Sequence, residues 1–254
     1  PAPMGSGTVA DWRHRNRHFL TGARLVIAPS HDTGRRIAGF APGARVRTIA
    51  HTDLAEAGTA ALPAAQPRPV PVGTPLKIVV LGALSAIKGA DILEAAALDA
   101  ARRGAPIEFH LLGYGYRHLQ TQPRARLTVH GQYQDEDLPG LLAWLQPDIA
   151  WFPAQWPETY SYTLSAALQA GLPVVVPDIG AFAERVSGRS WSWVVPWECS
   201  GGQWVDFFLR IKTEHFTSAS PPSEAPAVSV SPPNADWTYR RDYIHPPSQE
   251  DQPI

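Results

Sequence analysis

Between residues 76 and 213, six short apolar runs alternate with amphipathic helical patterns, and no other feature restricts the fold as much. The runs are LKIVVLG (76–82), IEFHLLG (107–113), RLTVHG (126–131), PDIAWFP (147–153), PVVVPD (173–178) and WSWVVP (191–196). Their lengths and β-branched content suit strands buried on both faces, as in parallel sheets. Helical patterns fill the gaps. ADILEAAALDAARRG places Ile92, Leu93, Ala96, Ala97 and Ala100 on one face and ends at Gly104, suited to the position after a helix. DEDLPGLLAWLQ opens with Asp135, Glu136 and Asp137, whose charges complement a helix N-terminus. SGGQWVDFFLRIK opens with Ser200 and Gln203 at capping-box spacing. Strand–helix alternation implies right-handed crossovers, and therefore an α/β fold with a doubly wound parallel sheet of about six strands.

The 26 prolines divide the chain. Residues 55–75 are small and proline-rich, which suits an extended linker. Residues 214–254 form a second proline-rich segment, in which 217–236 read as disordered or draped over a surface. Residues 1–54 hold a smaller unit: RLVIAPS reads as a strand, Ser30 as the N-cap of HDTGRRIAGF, and RVRTIAH as a second strand. Two strands and about two helices cannot bury a core of their own, so this unit is expected to pack on something else.

Composition excludes several classes of function. A formal net charge of −1 gives no general attraction to nucleic acid or an anionic membrane. The basic cluster Arg13, His14, Arg15, Arg17 and His18 reads as a solvated helix face. With Cys199 as the single cysteine, neither an internal disulfide nor a thiolate metal cluster is expected. No apolar stretch reaches the roughly 18 residues of a bilayer span, and no signal-peptide core is seen. These features predict a soluble, cytoplasmic chain.

The chemistry concentrates in PETYSYTLSAALQAGLPVVVPD (157–178). In an open α/β sheet, ligands sit outside the carboxyl ends of the strands. Glu158 follows the fourth core strand at that edge, and a helix starting near Tyr160 aims backbone N–H groups there. Ser161, Thr163 and Ser165 add hydroxyls, Leu164, Ala167 and Leu168 form the buried stripe, and Gly171 ends the helix. The pattern suits a phosphate at the helix end, with Glu158 accepting bonds from ligand hydroxyls; taken singly, Glu158 reads first as a dipole-complementing cap. GALSAIKG (82–89) places Gly82 and Lys88 at the end of the first core strand without Walker-loop spacing. Gly113 and Gly115 permit close backbone approach after the second. Other candidates are His51 and, near the same edge, Glu184, while His110, Trp191 and Trp193 read as structural.

GALSAIKG, LLGYG, VHGQYQDEDLPGLL and PETYSYTLSAALQAGLPVVVPDIGAFAERV occur in the order and spacing of the donor-binding half of family 4 (group 1) glycosyltransferases. These are retaining enzymes of GT-B architecture, with two Rossmann-like domains. The resemblance covers about residues 20–213 and is closest to a bacterial branch with Trp-Pro-Glu-Thr, here Trp156 to Thr159. It implies that residues 76–213 bind a nucleotide-diphosphate sugar, and that 1–54 are a remnant of the acceptor-side domain and hinge. Glu158 would hold sugar hydroxyls, the amides near Ser161, Tyr162 and Thr163 would meet the sugar and diphosphate, and Lys88 would neutralise the departing diphosphate without a metal or other cofactor. The acceptor would be a glycan or lipid-linked sugar, which implies a role in bacterial surface polysaccharide synthesis, in the cytoplasm or at the inner face of a membrane.

The chain departs from the pattern in three places. The second family glutamate, which accepts ribose hydroxyls, is Ala166; losing such bonds costs about 1.5–3 kcal/mol. The common arginine beside the first glycine is Ala83, and the usual motif glycine is Ser161. The resemblance also leaves most of the acceptor domain unaccounted for, whether the chain is a fragment or partner chains complete the site, so the chain alone is expected to be inactive. Ala166 and that missing domain favour a second reading, a non-catalytic nucleotide-sugar-binding or scaffolding module.

Overall fold

The computed structural model describes residues 8–50, 63–218 and 220–227. His51, the first part of the expected linker and the end of the proline-rich segment lie outside the described residues. The chain separates into two compact units, one of residues 1–59 with 229–254 and one of residues 60–228.

In the smaller unit, α1 (Val9–Thr21) and β1 (Val26–Ala28) precede α2 (His31–Phe40) and β2 (Val46–Thr48), and the two strands pair in parallel. Ser30 caps α2 as its sequence suggests, accepting the Thr33 N–H at 3.2 Å. The basic cluster lies on α1, which buries no residue. Arg17 reaches the Phe40 carbonyl at 3.3 Å and the Arg13 guanidinium lies over the Phe40 ring.

The larger unit is a six-stranded parallel sheet. Its strands are β3 (Leu76–Leu84), β4 (Ile107–Gly115), β5 (Leu127–Val129), β6 (Ile149–Trp151), β7 (Val174–Pro177) and β8 (Ser192–Val195). They lie in the order β5-β4-β3-β6-β7-β8. The sheet is the Rossmann-like half of a GT-B fold. Most strands split their apolar residues between two layers, because successive side chains point to opposite faces, while β5 gives Leu127 and Val129 to one layer. Ile78, Val80, Ile149, Trp151 and Val175 face one core with α3 (Ala90–Arg102) and α7 (Gly201–Ile211). Val79, Leu81, Ala150, Phe152, Val174 and Val176 face the other, with α4 (Leu138–Leu145), α5 (Tyr162–Gln169) and α6 (Phe182–Arg185). Burial on both faces explains why the strands read as continuous apolar runs.

Two expectations change in detail. Asp135–Asp137 form a 3₁₀ turn without a side-chain cap, and α4 begins at Leu138. Pro139 explains the late start, since a residue without an N–H is tolerated in a helix's first turn. At the other end, the packed chain runs past residue 213. Lys212–Thr217 continue α7 as a π-helical stretch, and Phe216 is 1% exposed with its carbonyl accepting the Val70 N–H at 3.0 Å.

Candidate functional site

The strand order reverses at β3 and β6: from β3 the chain builds outward to β4 and β5, then returns to lay β6, β7 and β8 on the other side. A crevice forms outside the carboxyl ends of strands at such a reversal. The segment leaving β3 carries Lys88, and the segment leaving β6 carries Glu158. Lys88 Nζ lies 3.9 Å from Glu158 Oε1, with the side chains 52% and 25% exposed. That separation exceeds a charge-assisted hydrogen bond, so the pair is loose and open to solvent.

Backbone packing fixes this juxtaposition. Ala86–Lys88 form one 3₁₀ turn, ended by Gly89 in a left-handed conformation (φ 88°). A side chain at Gly89 would begin 2.1 Å from the Pro153 carbonyl oxygen, so only glycine lets the two segments touch. The Gln155 N–H donates to the Ile87 carbonyl at 2.8 Å, a second tie between them. The Ala181 N–H donates to the Glu158 carbonyl at 2.9 Å, which anchors the acidic turn to the segment after β7.

Helix α5 starts beside the turn. Ser161 is its N-cap in an unusual conformation (φ 72°, ψ 90°), and its hydroxyl accepts the Leu164 N–H at 3.4 Å. Positive φ is the natural place for a glycine, and here a serine holds it. Arg185 supports the serine: one guanidinium nitrogen donates to the carbonyls of Tyr160 and Ser161 at 2.8 and 2.7 Å, and the other to Ser165 Oγ at 2.8 Å. The same group stacks on the Tyr160 ring at 4.0 Å. The sequence points to Glu184, the neighbour of this residue. Glu184 is half-buried on α6, and the Arg185 side chain reaches α5.

The other expected site residues divide. Thr163 lies at the edge of β3, since a side chain at Gly82 would meet its methyl group at 3.3 Å. Tyr162 is exposed at the start of α5, edge-to-face with Tyr160. Gly113 pairs in register with Gly82, and a Cβ there would fall 2.0 Å from the Gly82 carbonyl oxygen. Gly115 faces its own turn, where a Cβ would meet the Arg117 carbonyl at 2.8 Å. Ala166 is half-buried against the α4–α5 core.

Outside the ends of β4 and β5 lies a hollow of about 360 Å³, lined in part by Leu112, His130, Gly131, Gln132, Tyr133 and Leu141. Burial holds the His130 imidazole below its ordinary pKa. Burial, with the Asp135 charge, raises the Tyr133 phenol. Behind it, His110 Nδ1 lies 3.1 Å from His130 Nε2. No group of three or more metal-binding side chains occurs among the described residues, and no helix there is long and apolar enough to cross a membrane.

Residues 75–201, half of the chain, match the family model described as glycosyl transferases group 1. The chain belongs to that family. Among solved structures, Anabaena HepE in complex with UDP is similar with a TM-score of 0.58 at 16% identity, over 85% of this chain and 62% of that one. The apo form of WaaB, a lipopolysaccharide outer core galactosyltransferase, gives 0.58 at 14% identity, over 82% of this chain and 57% of that one. Sucrose-phosphate synthase from Thermosynechococcus elongatus gives 0.55 at 16% identity, over 84% and 55%. The chain thus spans little more than half the length of these structures. No curated protein matches it.

Proposed function

We propose that this chain is the donor-binding half of a retaining glycosyltransferase, taking a nucleotide-diphosphate sugar and passing the sugar to a glycan or lipid-linked acceptor. The observation that carries this reading is the loose Lys88–Glu158 pair at the strand-order reversal. A diphosphate beside Lys88 and the start of α5 would meet an ammonium and the positive end of a helix dipole. Breaking the bond between the anomeric carbon and the phosphate oxygen leaves charge on the diphosphate, which those groups stabilise without a metal. Glu158, 3.9 Å from Lys88, is then within reach of the sugar's hydroxyls. The nucleoside would extend toward the hollow beyond β4 and β5.

Most of the acceptor side would belong to a second domain, and proximity between donor and acceptor requires both. The UDP seen with HepE and the lipopolysaccharide role of WaaB support a uridine donor and a place in surface polysaccharide synthesis; in this reading the chain works in the cytoplasm. Ala166 favours the second reading, a binding module without catalysis, because alanine cannot accept ribose hydrogen bonds.

Calorimetry with UDP and with inorganic pyrophosphate separates these contributions. Lys88→Ala should weaken both ligands and flatten their salt dependence. Ala166→Glu should strengthen UDP by about 1.5–3 kcal/mol, the range for bonds to a charged acceptor, and leave pyrophosphate nearly unchanged. Equal effects of Ala166→Glu on the two ligands would show that position 166 does not face a ribose, and no effect of Lys88→Ala would remove the diphosphate assignment.

A further inference from the structure

We propose that Trp156 is a stacking platform for a hexopyranose ring beside the Lys88–Glu158 pair, an assignment that rests on the donor-site reading above. The residue is 58% exposed, although tryptophan is among the most buried side chains on average. A single exposed tryptophan would carry no argument. Here the surroundings do, because the segment presenting it is tied down on both sides. Gln155 donates its backbone N–H to the Ile87 carbonyl at 2.8 Å, and its side-chain amide to the carbonyls of Pro153 and Trp197, each at 3.1 Å. Pro157 follows and holds the backbone of Trp156 extended. Glu158 is fixed by the Ala181 N–H. Across the tie, Ile87, the neighbour of Lys88, is 51% exposed, a second apolar side chain open to solvent.

The two faces of a pyranose differ in chemistry from its rim. The rim carries hydroxyls, which suit Glu158; the faces carry axial C–H bonds whose positive ends suit the negative face of an indole. Trp156 stands two residues before Glu158 on a rigid turn, so one ring can meet an aromatic face and a carboxylate together. The ring is that of the donor or that of an acceptor sugar, which share this chemistry.

The test uses the chain with Trp156→Ala and Trp156→Tyr, titrated with UDP, UDP-glucose and methyl α-glucoside in the presence of UDP. UDP affinity should be the same in all three proteins, which also reports on folding and on the donor-site reading itself. If the platform holds the donor ring, Trp156→Ala weakens UDP-glucose roughly three- to tenfold relative to UDP, and tyrosine restores most of the loss. If it holds the acceptor ring, the glucoside is lost and UDP-glucose is unchanged. Identical affinities of both sugar ligands in Trp156→Ala and the parent overturn the proposal while leaving the donor site standing. Failure of the parent chain to bind UDP removes the donor-site reading, and this proposal with it.

Discussion

Replacing Gly89 by alanine tests whether backbone contact between the segments leaving β3 and β6 positions the charged pair. Two costs add. At φ 88° an L-residue carries strain of about 1–2 kcal/mol. The new methyl carbon would also start 2.1 Å from the Pro153 carbonyl oxygen and 2.6 Å from its carbon, and both are backbone atoms that no rotamer can move. Forcing such an overlap apart costs about 1–3 kcal/mol. The sum, roughly 2–5 kcal/mol, corresponds in a domain of this size to a melting point lower by roughly 5–15 °C. Gly104 is the control, because its φ of 60° carries similar strain while nothing lies within 4 Å of its built Cβ. Gly104→Ala should therefore lose only about 1–2 kcal/mol, a few degrees. The functional consequence also differs: separating the segments moves Lys88 from Glu158, so UDP affinity should fall in the Gly89 variant and persist in the Gly104 variant. Circular dichroism melts and calorimetry on the two proteins decide the matter. Equal stability losses, or unchanged UDP binding by Gly89→Ala, would refute the idea that this contact sets the site.

Two further outcomes follow from strain and from burial. Ser161→Gly should raise stability by up to about 1 kcal/mol, since it relieves a positive φ of 72° and a glycine cap forfeits only a few tenths of a kcal/mol; a loss in urea titration would show that the serine hydroxyl outweighs the strain. His110 is held below its ordinary pKa of 6.5 by burial, then by the charges of His130 and Lys77, with Glu108 opposing. The unfolded chain therefore binds more protons as pH falls through and below 6.5, and native stability declines there. His110→Asn should lose less melting temperature than the parent between about pH 7.5 and about pH 5.5, and parallel losses would remove His110 as a source of acid sensitivity.

The sheet was legible because its strands are buried on both faces. Val79 and Val80 sit side by side in opposite cores, so the sequence shows an unbroken apolar run of strand length. The start of α5 was legible for a related reason: the motif from Glu158 to Gly171 packs its charge, hydroxyls, apolar stripe and stop signal into one continuous stretch. Arg185 was not, because a four-residue helix shows no periodicity, and it is the approach of α6 to α5 that brings its guanidinium to the Tyr160 and Ser161 carbonyls. Gly89 was hidden for the opposite reason. It reads as the end of a short motif, while its need for a bare α-carbon comes from Pro153, distant in sequence. The late start of α4 turns on Pro139, which admits a first turn without requiring one.

The register pair Gly82–Gly113 has a consequence for how this chain can diverge or be diversified. Neither strand can change there by itself: a substituent at 113 would occupy the space of the Gly82 carbonyl oxygen, while 82 itself has φ 96°. A single-step mutational walk has no exit from this pair, and neither has a combinatorial library that varies one strand at a time. New donor preferences would have to be sampled in the side chains that follow the strands, such as 85–88, 132–133 and 155–163, with 82, 89 and 113 kept constant. A randomised pool screened only for folding should return those three positions as glycine, and variation at exposed rim positions such as 87, 156 and 162.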